Sequence, residues 1–269
     1  MMHLKLIACK IVERELAQIS CTCKNVIDTT MIRMMIHIRP KELNLVLQEE
    51  IEAFEADTHR HSNRLTDYDY DAILIGYGLC ANATTGLHSS KFPLVIPKAH
   101  DCVTFIMGSK EAYRDYYAQN PGTFYYWPGA VELMAFQDSD RYNRQYEFYL
   151  ERYKGNARKA KKAADIEMTF LDTYKQATYL RWPSLPFPEY EQQINDYPTE
   201  RGWDFETREG NDSLLRRMLD GQWDKKDFLV VPPGYTSVPS YDENVIKAVP
   251  YEEYLESLKD KELEIWVRE

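Results

Sequence analysis

Apolar residues along this chain fall into two kinds of pattern. Short, largely apolar runs lie at residues 4–8, 71–76, 92–96 and 227–231, and they suit strands buried on both faces of a parallel sheet. Between them, apolar positions recur at helical spacing. Leu43, Leu47, Ile51 and Phe54 share one face of a helix that Pro40 would open. The pattern predicts further strands at 25–30, 122–127, 176–182 and 203–207. It predicts helices at 11–19, near Asp101, from Ser109, at 188–201 and at 212–220, the last stopped by Gly221. From about Arg141 to Phe170, aliphatic residues give way to Tyr, Lys and Arg, as in one or two long amphipathic helices.

This alternation predicts an α/β fold. Two Rossmann-like parallel-sheet lobes are one form of it, with an N-terminal lobe over 1–135, a helical link over 136–172 and a C-terminal lobe over 173–269. One continuous doubly wound sheet is the other. The two-lobe form draws on an ungapped match between 71–78 and 227–234, each a buried strand ending near a glycine.

Composition narrows the function classes. The chain has 269 residues and a formal charge of −10, which argues against nucleic acid as the main partner. No apolar run is long enough to span a membrane. The first residues lack an export pattern, and five cysteines form no regular framework. The expectation is a cytoplasmic protein with free or metal-bound thiols. Cys21 and Cys23 are spaced too tightly for the usual redox pair.

The chemistry concentrates at predicted strand ends. Cys9 ends the first run, Cys80 follows the run at 71–76, and His100 and Cys102 follow the run at 92–96. In an open α/β sheet the C-terminal strand ends face one crevice, where ligands bind. Cys9, Cys80, His100 and Cys102 are therefore the candidate ligands of zinc or another soft divalent metal. Four ligands would make a closed structural site; three would leave a position open for substrate. The plainer alternative is ordinary buried cysteines. Asp101 and Lys98 flank His100 and are the candidate catalytic groups, Asp101 for proton transfer or as a helix cap, and Lys98 for a substrate carboxylate. Gly76, Tyr77, Gly78 and Asn82 are the candidate cofactor-binding loop. A helix starting near Asn82 would present N–H groups to an anion, although the glycine spacing is not that of a nucleotide loop. Aromatic residues around Tyr125 and Tyr235 could line a pocket.

At these residues the chain resembles the family known as domain of unknown function 1638. The resemblance rests on Ile7–Lys10, Gly76–Cys80, Ile96–Cys102, Pro121–Tyr125, Leu219–Asp224 and Asp227–Gly234. Two departures stand out. The family pattern has glycines near Asn82 where this chain has Ala81 and Ala83, and tends to have arginine at Lys98. Lysine is a point charge and alanine restricts the loop, which weakens the case for a bound anion. The resemblance implies an association with corrinoid-dependent methyltransferase systems. The His-x-Cys pair is also similar to the zinc motif of uroporphyrinogen-decarboxylase-type thiol methyltransferases, an analogy of chemistry alone. The expected function is thus a metal-dependent enzyme acting on a small thiol or methylated substrate in one-carbon transfer. An exchangeable corrinoid, a corrinoid protein or a methyltransferase would be its partner. A non-catalytic module that binds metal, corrinoid or partner is the alternative. A third is a structural metal with the working pocket elsewhere.

Overall fold

The computed structural model describes residues 1–34, 36–56, 69–134 and 138–267. In chain order the elements are β1 (His3–Cys9), α1 (Glu13–Ser20), β2 (Val26–Ile32), α2 (Pro40–Glu55), β3 (Ala72–Gly76), β4 (Leu94–Pro97), α3 (Val103–Met107) and α4 (Lys110–Gln119). Then come β5 (Thr123–Tyr126), α5 (Pro128–Leu133), α6 (Asp138–Arg152), α7 (Ala157–Met168), β6 (Gln176–Arg181), α8 (Pro188–Arg201) and β7 (Asp204–Glu209). The chain closes with α9 (Ser213–Leu219), β8 (Phe228–Val231), β9 (Tyr235–Pro239), β10 (Ile246–Pro250) and α10 (Tyr251–Val267).

The α/β class holds, and the chain forms two parallel-sheet units. One comprises Met1–Lys110 with Asp212–Glu269, the other Glu111–Asn211. This division differs from the expected boundaries at 135 and 172. The reason is β8, which returns as the antiparallel edge of the first sheet, pairing Leu94 with Val231 and Pro97 with Phe228. The match between 71–78 and 227–234 thus joins a parallel strand and an antiparallel strand of one sheet, not equivalent strands of two lobes. Helices α6 and α7, expected as a link, belong to the second unit.

The first unit holds a five-stranded sheet ordered β2-β1-β3-β4-β8. Its first four strands are parallel, so their C-terminal ends share one edge. From β1 the chain steps outward to β2, then crosses back to β3 on the other side. The β1/β3 gap is therefore the switch point at which open α/β sheets leave a crevice. Strands β1 and β3 are buried along nearly all their length. Leu43, Leu47, Ile51 and Phe54 of α2 are all buried, as their spacing predicts. Lys5 lies in mid-β1 with only 1% of its surface exposed. Its ammonium meets Asp28 Oδ1 at 3.1 Å and sits over the Phe54 ring, while the Tyr70 hydroxyl donates to Asp28 Oδ2. A buried charge is tolerated on such terms.

The second unit carries a parallel sheet ordered β5-β6-β7. Its core is aromatic, built on Phe124, Tyr126, Tyr179, Tyr197 and Trp203. Tyr125 is buried in this unit, so it packs rather than lining an open pocket.

Gly76 sets the spacing of β1 and β3. A Cβ on it would lie 2.4 Å from the Ala8 Cβ, its register partner. Gly76→Ala must push the two central strands apart, and is expected to lower stability by about 1–3 kcal/mol in urea unfolding.

Candidate functional site

Three of the four predicted ligands come together in the first unit. Cys9 is the last residue of β1, Tyr77 follows the last residue of β3, and Cys102 directly precedes α3. Two backbone hydrogen bonds join the loops after β3 and β4. Leu79 N–H donates to the Ala99 carbonyl at 2.7 Å, and Cys80 N–H to the His100 carbonyl at 3.0 Å. Gly78 makes this approach possible, because a Cβ there would lie 2.9 Å from both Ala99 O and Asp101 N. The sequence pair 80 and 102, twenty-two positions apart, thus becomes neighbours through a glycine and two carbonyls.

The loop then takes an unusual path. Cys80, Ala81 and Asn82 have φ of 43°, 56° and 69°, three consecutive non-glycine residues in the left-handed region. Each costs about 1–2 kcal/mol relative to right-handed backbone. No helix starts near Asn82, so the expected helix N-terminus for an anion is not there. At Ala81 this backbone is one that glycine adopts without the Cβ penalty.

Tyr77 is the hub of the thiols. Its hydroxyl donates to the Cys9 sulfur, and it lies within the electrostatic reach of Cys80 and Cys102. Burial pushes the Cys9 thiol up, opposed by the Ile11 N–H and the Tyr77 hydroxyl. Cys80 is pushed up to about 12, first by burial, then by the charges of Cys9 and Asp101. Cys102 is raised well above the usual thiol range by burial, then by Asp101, Cys80 and Cys9. Each thiol thus acts on the others, and all resist ionisation without a cation. Among the described residues, no group of three or more His, Cys, Asp or Glu side chains stands in metal-ligating geometry.

The other predicted residues are placed as follows. His100 lends its carbonyl to the loop junction and is exposed to solvent. Asp101 Oδ1 accepts the Val103 N–H at 3.0 Å, capping the start of α3. The Lys98 ammonium donates to the Lys225 carbonyl at 2.7 Å and to Asn244 Oδ1 at 3.2 Å, so the structure does not bring it into the thiol group. Gly76 and Gly78 serve close backbone approach, and Tyr77 serves Cys9. Asn82 is exposed on the left-handed turn. Cys21 is exposed, and Cys23 is held by the carbonyls of Ser20 and Asn25, both apart from the site. The role of Tyr77 as a thiol partner was missed from the sequence. Its one signal was position, one residue beyond a buried strand beside Cys9.

Two outcomes follow from this geometry. Ala81→Gly relieves a left-handed alanine and is expected to stabilise the protein by about 1 kcal/mol in urea unfolding. In metal-free protein the folded thiols hold protons that the unfolded chain releases above about pH 9. Stability should therefore fall as pH rises from about 9 toward 12, by at most about 1.4 kcal/mol per pH unit for each thiol. Cys80→Ser should flatten that slope in urea titrations across this range.

No curated protein and no solved structure matches the chain. Residues 31–219 match the family described as "Protein of unknown function (DUF1638)". That span covers β3 and β4, the loops carrying Cys80 and Cys102, and the whole second unit, while β1 with Cys9 lies outside it. It is well over half of the chain, and the protein belongs to the DUF1638 family.

Proposed function

We propose that this protein is a soft-metal enzyme, with zinc as the first candidate, in which Cys9, Cys80 and Cys102 hold the ion. One observation carries the reading. Three sulfurs gather at the ends of adjacent parallel strands, at the switch point where this sheet class binds ligands. A cluster of buried and half-buried thiols that raise one another's pKa suits a divalent cation, which takes thiolates and removes their mutual repulsion. The sulfurs would turn inward on binding, since their metal-free positions form no ligand set.

Three thiolates leave a fourth position on the ion, and His100 stands exposed beside Cys102 to supply or guard it. The substrate class that fits is a small thiol or a methylated compound. When bound, the metal supplies a low thiol pKa at neutral pH. A substrate thiol that reaches the site gives its proton to solvent. Its sulfur then forms a bond to a methyl carbon as the bond from that methyl to its donor breaks, the donor keeping the electron pair. An exchangeable corrinoid is the methyl donor in this reading. Asp101 holds the Cys102 loop through Val103, and Tyr77 holds Cys9; both are positioning residues.

Purified protein dialysed against zinc should carry about one zinc per chain by elemental analysis. At a thousandfold excess of free zinc over Kd, the gain in unfolding free energy should be about 4 kcal/mol. Cys80→Ser and Cys102→Ser should lose both effects, while His100→Ala should keep the metal. Wild-type protein that takes up neither zinc nor cobalt and gains no stability from either would remove this reading.

A further inference from the structure

A cavity of about 520 Å³ lies within the first unit, apart from the residues assigned to the metal. That volume is in the usual range for a small-molecule site. Its walls come from three elements that the structure locks together. The loop after Cys80 supplies Asn82 and Thr85. The β9–β10 hairpin supplies Val238, Lys247 and Val249; Lys247 is the register partner of Val238, and Val249 lies two residues on, so all three share one face. Helix α10 supplies Glu253, Tyr254, Ser257 and Leu258, adjacent positions on one helical face.

The walls are well fixed. Gly86 N–H donates to the Ser237 carbonyl at 2.7 Å, and the Thr236 hydroxyl to the Leu87 carbonyl at 2.9 Å. Asn44 Nδ2 donates to the carbonyls of both Ala83 and Thr85. Gly86, at φ +83°, lets α10 close on the loop: a Cβ there would lie 2.8 Å from the Tyr254 hydroxyl. His88 stacks on Tyr251 at the start of the same helix.

Two features of the lining point to an occupant. The Thr85 hydroxyl is buried and has no hydrogen-bond partner among the described residues. Such an orphan costs about 1–3 kcal/mol, which a ligand atom would recover once the hydroxyl rotates toward the cavity. Lys247 and Glu253, of opposite charge and both solvent-exposed, line the same cavity; among the described residues neither makes a close salt bridge, and Lys247 also lies in the field of Asp242. Apolar Val238, Val249 and Leu258 stand among them.

We infer that this cavity binds a small zwitterion of the amino-acid kind, with its carboxylate on Lys247, its ammonium on Glu253 and its apolar side chain against Val249 and Leu258. A polar atom of the ligand accepts from or donates to Thr85. The site is independent of the metal reading, because no proposed ligand of the ion lines it.

Calorimetric titration of the full chain tests this with L-leucine and L-methionine as probes. 4-Methylpentanoate, which lacks the ammonium, and 3-methylbutylamine, which lacks the carboxylate, are the comparisons. At least one amino acid should bind, and both single-charge analogues should bind about tenfold more weakly or worse. Lys247→Met and Glu253→Gln should each weaken the amino acid about tenfold. Thr85→Val should weaken it several-fold with its unfolding midpoint no lower than wild type, showing that the hydroxyl serves the ligand and not the fold. Zinc content of these variants should match wild type, so failure here is separable from failure of the metal reading. The inference is overturned if neither amino acid saturates by about 10 mM. It is equally overturned if the analogues match the amino acids, or if the Lys247 and Glu253 variants bind as wild type does.

Discussion

The junction between the loops after β3 and β4 is the constraint on which the candidate site depends. Leu79 and Cys80 donate to the carbonyls of Ala99 and His100, and Gly78 presses against the same backbone. A side chain at Gly78 would force the loops apart and with them Cys80 and Cys102. Two hydrogen bonds, about 1 kcal/mol each net, do not by themselves hold three left-handed residues in place. The hairpin β9–β10 completes the restraint through its bonds from Ser237 and Thr236 to residues 84–88. The returning C-terminal segment is thus part of the machinery that shapes the loop of Cys80.

Electrostatics sharpen the picture of that loop. The charges acting on Cys80 and Cys102 are acidic: each other, Cys9 and Asp101. The one basic residue predicted to sit beside them, Lys98, turns to the carbonyl of Lys225 and the side chain of Asn244. Low dielectric and like charge together keep these thiols protonated. A bound cation, as proposed above, would offset the like charge, whereas an anion would add to it. The same reasoning separates this centre from the cavity under α10, where a lysine and a glutamate, Lys247 and Glu253, stand among apolar side chains.

Much of the site's placement was legible in the chain. Largely apolar runs marked β1, β3 and β4, and the parallel α/β reading put their ends on one edge. Cys9, Cys80 and Cys102 followed from that alone. The role of Lys98 did not follow, because proximity in sequence to His100 says nothing about which way a four-carbon side chain turns. Nor did the division of the chain: the run at 227–231 looks like any buried strand, and strand direction is not written in apolar periodicity. The hairpin and α10 also went unread, although Tyr251, Tyr254, Leu255 and Leu258 repeat at helical spacing.

The amino-acid sequence by itself determined the class of fold, the positions of the main strands and helices, and the residue types available for soft-metal chemistry. These rest on local periodicity and on side-chain chemistry, which each segment carries with it. The tertiary structure alone decided that β8 joins the first sheet antiparallel, that Gly78 lets two loops meet, that Tyr77 rather than His100 faces Cys9, and that residues 80–82 turn left-handed. Each of these depends on a contact between segments far apart in the chain, and such a contact has no signature in either segment alone.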